Sequence, residues 1–213
     1  MPERTYTYDA ISGRYRDATS GRFISNASVR STVDAVADAA GDRMAGLAKA
    51  LREGRSTLAA FETGMLSAIK DANLSAAIAA RGGAAQMSPA DNGAAGRLIR
   101  DQYGYARQFV ADIASGKQPL DGRLEARARL YGDASVSSYE AIRGRDARAR
   151  GENQERNILN TSVKEHCQDS PTCAEQRDKG WVPAGSLVPI GQRGCRSRCR
   201  CRIERSRAGG RAA

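Results

Sequence analysis

The chain has 213 residues, enough for one ordinary domain with appendages or two small ones. Its apolar material is thin, because hydrophobic residues make up 40% of it, many of them alanine, and aromatics only 5%. No stretch approaches the roughly 20 apolar residues that cross a bilayer, and the start, "MPERTYTYDA", lacks the apolar run of a secretion signal, so neither membrane contact nor export is expected.

Residues 1–25, "MPERTYTYDAISGRYRDATSGRFIS", have no helical period and read as an extended arm with turns near Gly13 and Gly21. Such an arm buries little alone and should lie on another part of the chain or on a neighbour. Helical spacing begins after Asn26: Val33, Val36, Ala40, Met44, Leu47 and Leu51 form one stripe, which Gly54 ends. Leu58, Phe61, Met65, Ile69, Ala72 and Ala76 form a second, broken at Gly82-Gly83. "SPAD" then opens a third helix, with Ser88 as cap, Pro89 in the first helical position and Asp91 at the positive end of the dipole. Its stripe is Ile99, Tyr103, Ala106, Val110 and Ile113, closed by Gly116. Leu124, Ala128, Tyr131, Ser135, Ser138 and Ile142 give a fourth, weaker stripe that dissolves into "RGRDARARGENQERN", charged on every side and read as a solvated helix or a bridge.

All five cysteines (Cys167, Cys173, Cys195, Cys199, Cys201), the single histidine His166 and the single tryptophan Trp181 fall in the last part of the chain. The glycines and prolines between them exclude one long helix, and a small irregular module needs a staple of metal or disulfide. The ligand types suit zinc, with Cys167 and Cys173 on one side, Cys195, Cys199 or Cys201 on the other, and His166 as a substitute ligand. Disulfides are the other reading, and five thiols leave one over. "CRCRIE" alternates, so as a strand it turns Cys199, Cys201 and Ile203 to one face and Arg200, Arg202 and Glu204 to the other. The expected fold is therefore mainly α: an extended arm (1–25), a helical body (26–150), and a charged connector leading to an irregular Cys-rich module with a short strand (151–213).

The formal charge of +10 is concentrated at the end, where eight arginines stand against Glu204 from Gly191 onward. Arg193, Arg196, Arg198, Arg200, Arg202, Arg205 and Arg207 are the candidates for contacting a polyanion without reading its sequence. Catalysis is not expected. One histidine cannot supply a multi-imidazole nuclease site, His166 and Cys167 are sequence neighbours with poor geometry for a nucleophile–base pair, and "ARGGAA" lacks the strand before and the lysine after that a phosphate loop needs.

"TSGRFIS", "ALREGRSTLAAFETGM", "RARLYGDASVSSYE" and above all "HC…C…GWVPAGSLVPIG…C…C.C.IE", in that order, resemble bacteriophage minor head, or head-morphogenesis, proteins over nearly the whole chain. The resemblance implies a non-enzymatic virion protein acting at the head or portal vertex during assembly and DNA packaging. Its partners would be the portal or major capsid protein, further copies of itself and, nonspecifically, viral DNA. It would reside in the virion, and in the host cytoplasm during assembly. The family's terminal pattern matches His166, Cys167, Cys173, Trp181, Cys195, Cys199 and Cys201; longer members carry a fuller His/Asp-rich version of it. The alternative is a small zinc-stabilised nucleic-acid-binding protein outside any virion.

Overall fold

The structure, a computed structural model, describes residues 6–160, 167–194, 199 and 201–207. The fold is mainly α, and the chain divides into two compact units: Met1–Tyr8 with Arg14–Ile142, and Asp9–Gly13 with Arg143–Ala213.

The first unit begins with three short strands, β1 (Tyr6–Asp9), β2 (Arg14–Asp17) and β3 (Phe23–Ile24), in a sheet of that order. β2 and β3 pair antiparallel, with Tyr15 opposite Ile24. Positive φ at Gly13 and Gly21 makes the expected turns. The Tyr8 backbone exchanges two hydrogen bonds with the Gln86 amide, at 3.0 and 2.8 Å. Tyr15, fully buried, donates its hydroxyl to the Ala80 carbonyl at 2.9 Å.

Helices α1 (Asn26–Arg52), α2 (Leu58–Arg81), α3 (Pro89–Ala114) and α4 (Gly122–Asp133) follow. Ser25, Thr57, Ser88 and Asp121 cap their N-termini, and Ser88 with Asp91 forms a full capping box. The chain leaves α2 through Gly82, at φ 74°, where only a glycine lets the Tyr8 backbone approach. Met44, Leu51, Phe61, Met65, Ile69, Phe109 and Leu124 form the core, with the Phe61 and Phe109 rings edge to face at 5.8 Å.

Two differences from the sequence reading concern this region. The fourth stripe is two helices, α4 and α5 (Val136–Ala149), because the chain turns at Ala134–Ser135, where the Ser135 N–H bonds back to the Gly132 carbonyl. The division between units then falls inside α5, before residue 150. Within the second unit, Arg150 pairs with Asp146 and Glu152, and Arg207 donates to the Arg150 carbonyl.

The second unit is built on β4 (Gln154–Ile158), flanked by β5 (Val182–Pro183) and β6 (Arg202–Ser206), with both pairings antiparallel. A short helix, α6 (Cys173–Asp178), packs with it. The run read as a solvated helix or bridge therefore contains the central strand of this sheet. Its buried residues, Glu155 and Asn157, are polar, and they are satisfied by hydrogen bonds to the Leu187 N–H and the Cys173 carbonyl, so composition conceals the strand.

Candidate metal centre

Thr172 caps α6, its hydroxyl accepting from Glu175 N and the Glu175 carboxylate accepting from Thr172 N. This places Cys173 in the first turn, pointing inward at 1% exposure. Cys199 and Cys201 lie just ahead of β6, whose pairing of Ile203 with Asn157 fixes that segment against β4. Both are buried, at 2% and 3%. The expected strand begins at Arg202, so both cysteines precede it instead of alternating along it with Ile203.

The sulfurs of Cys173, Cys199 and Cys201 all lie within 4.8 Å of one another, and those of Cys173 and Cys199 are 3.5 Å apart. Three buried thiols this close can hold one metal ion. None of the three is in a disulfide, and neither is half-buried Cys167, whose sulfur accepts from the Cys173 N–H at 3.3 Å. Hydrogen bonding to Cys173, then to Cys199, together with burial pushes the Cys201 thiol far above its ordinary value. Without a cation the Cys201 thiol is held in its neutral form. A divalent metal would reverse that, because thiolate is the ligating form.

Arg193 departs most from expectation. Placed among the outward-facing arginines by sequence, it is 1% exposed. Its Nε donates to the Val188 carbonyl at 2.8 Å and its Nη1 to Asn157 Oδ1 at 2.7 Å, with Cys173 Sγ 3.7 Å from Nη1. Its neighbour Gly194 donates its N–H to the Pro171 carbonyl at 3.0 Å, and a Cβ there would come 1.8 Å from the Asp169 carbonyl oxygen. That backbone contact turns the side chain inward.

The other arginines divide. Arg202 is exposed, Arg205 is half-buried, and exposed Arg207 spends two donors on the Arg150 carbonyl, at 3.1 and 2.8 Å. Arg196, Arg198 and Arg200, with His166 and Cys195 of the expected staple, lie outside the described residues. Trp181 lies under the Arg156 guanidinium at 4.7 Å, and Arg156 pairs with its cross-strand partner Glu204 at 2.7 Å. Residues far apart in sequence, Arg156, Trp181 and Glu204, thus meet at one place on the sheet.

Asn157 was not singled out by sequence, yet it holds both the Cys173 carbonyl and Arg193. The available signal was the two-residue spacing of Glu155 and Asn157. Compared with known protein families, with curated proteins and with solved structures, the chain matches none.

Proposed function

We propose that this chain is a non-enzymatic structural protein of a bacteriophage head, a minor head or head-morphogenesis component whose carboxyl-terminal unit is stapled by zinc. The observation that carries the reading is the convergence of the motif residues. Cys173, Trp181, Cys199, Cys201 and Glu204, spread over the segment in which the resemblance is most specific, are used within one small unit as its thiol cluster and its Arg156 stack and pair. Their work is to shape that unit. None of these thiols is exposed, as a nucleophile acting on an external substrate would need to be.

Zinc suits the donor set. One disulfide would use two of the three clustered sulfurs and leave the third facing it, whereas zinc takes all three and accepts a fourth ligand, for which the sequence offers His166, Cys167 and Cys195. The unit's apolar core is small, with Ala147, Leu187 and Ile190 as its buried aliphatic side chains among the described residues, so a metal contributes folding free energy directly. In the head, the portal or major capsid protein and further copies of the chain are the proposed partners. Arg202 and the arginines from Arg196 to Arg200 are the proposed nonspecific contacts to packaged DNA.

The test is mass spectrometry of purified particles and of assembly intermediates, combined with copurification against tagged portal and capsid proteins. Stoichiometric recovery in particles is expected. A chain that is missing from both preparations and instead binds one duplex sequence selectively would be the small zinc-stabilised nucleic-acid-binding protein.

A further inference from the structure

We propose that Arg193 is the charge-balancing residue of the metal–thiolate centre, its buried guanidinium offsetting the negative charge that Cys173, Cys199 and Cys201 bring to a bound dication. The inference rests on the zinc reading and adds to it a residue and a sign of charge.

Arginine does not shed its proton in a protein, so a buried one is a buried cation, and it is costly unless a negative charge lies close by. Among the described residues Arg193 has no such partner. Its acceptors are a carbonyl and an amide oxygen, both neutral, and its Nη2 has no hydrogen-bond partner among the described residues. Glu155 and Asp146 are the other buried charges of this unit among the described residues; the Glu155 carboxylate accepts from the Leu187 N–H and Asp146 pairs with Arg150, and no ion pair joins either to Arg193 among the described residues.

The remaining neighbour is the sulfur of Cys173, 3.7 Å from Nη1. Three neutral thiols, or a disulfide plus a thiol, would leave the guanidinium uncompensated. Three thiolates on a zinc dication carry one net negative charge, and a fourth thiolate would make two. Of the three possible states of this cluster, the metal-bound one answers Arg193. The geometry is also held for it. Asn157 grips both Arg193 and the Cys173 carbonyl, and the Gly194–Pro171 backbone bond fixes the arginine's loop against the segment leading into α6. A cation held this firmly beside the Cys173 sulfur tunes the centre without ligating it.

The test uses the full chain with Arg193→Gln, which keeps donors but no charge, and Arg193→Lys, which keeps the charge but not the planar fork. Zinc affinity is read by chelator competition, and the sulfur environment by the sulfur-to-metal charge-transfer band of the cobalt-substituted protein. Arg193→Gln should bind zinc roughly 10–100-fold more weakly, with the band moved to longer wavelength, while Arg193→Lys stays within a few-fold of wild type. Arg193→Gln that does not fold even with zinc, beside Arg193→Lys that does, gives the same answer. The proposal is overturned if both variants bind as wild type, if both fail alike, or if lysine is no better than glutamine; in those cases zinc in the wild type still stands. A wild-type chain that takes up no metal overturns both.

Discussion

Gly132 of α4 lies against Gly41 of α1 so closely that a Cβ on Gly132 would stand 2.3 Å from the Gly41 nitrogen and 2.6 Å from the Ala37 carbonyl oxygen. The two helices meet backbone to backbone, through the smallest side chains available. This contact explains how a helix with as few apolar residues as α4 is held in the body.

Gly132→Ala should therefore destabilise the first unit by roughly 1–3 kcal/mol, since the atoms it meets are backbone and cannot rotate away. Gly46→Ala in α1 and Gly104→Ala in α3 serve as controls. Both sites are exposed and have no atom within 4 Å of an added methyl, so each should gain up to about 1 kcal/mol from helix propensity. Thermal unfolding followed by helical circular dichroism separates the cases. A shift in the same direction for all three would mean that propensity alone decides.

Asp91 is the pH-sensitive joint of the first unit. Burial opposes its charge, but hydrogen bonds from Arg81 and Ser88 outweigh burial and hold its carboxyl down to about 2 from 3.8. Arg81 grips it with two bonds, at 2.8 and 2.9 Å. A pKa lowered on folding contributes stability that is present above the unfolded value and lost as pH falls through the folded one, here from about 4 to about 2. Asp91→Asn should cost roughly 2 kcal/mol at neutral pH, and its deficit against wild type should shrink across that window. Urea unfolding of both proteins at a series of acidic pH values reads the difference directly, and a deficit constant with pH would contradict it.

Helix starts and stops were legible because their chemistry is local. Ser88, Pro89 and Asp91 announce a helix without help from any distant residue, and so do Gly54, Gly82 and Gly116 at helix ends. The inner face of α1 follows from helical spacing, which selects Val36 and Ala40, whereas the buried residues there are Ala37 and Gly41. Where small residues make the contact, the largest apolar residues do not mark its centre. The Cys-rich unit was located but its interior was not. Glu155, Asn157 and Arg193 look solvent-facing by composition, and they turn inward because hydrogen bonds formed over long sequence separations satisfy them.

Asn73 of α2 joins three helices of the first unit, and removing it should expose coupling among them. Its amide accepts from Ser138 of α5 at 2.7 Å and exchanges bonds with Gln102 of α3 at 3.3 Å each way. Asn73→Ala strands both partners in a buried site, at about 1–3 kcal/mol for an unsatisfied group. Ser138→Ala alone should cost less, and the double variant less than the sum of the two, by roughly 0.5–3 kcal/mol. Additive losses in chemical unfolding would show that the three side chains act independently.

The aromatic residues supply separate probes of the two units. The single tryptophan, Trp181, belongs to the second unit and stacks under Arg156, while all seven tyrosines lie in the first, as do α1 to α4. Stripping metal with a strong chelator under reducing conditions should change Trp181 fluorescence and open the segment after residue 150 to protease. Most of the helical circular dichroism should remain, because the core of Phe61, Met65 and Phe109 contains none of the sulfurs of the cluster. Cys173→Ser and Cys201→Ser should each reproduce that state without chelator and should show loss of bound zinc by elemental analysis, since removing one of three clustered donors leaves too few thiolates to hold the ion. Readdition of zinc should restore the fluorescence of the stripped wild type and leave both variants unchanged. Fluorescence indifferent to chelator, with both variants as protease-resistant as wild type, would mean that the three thiols hold the unit together by packing alone.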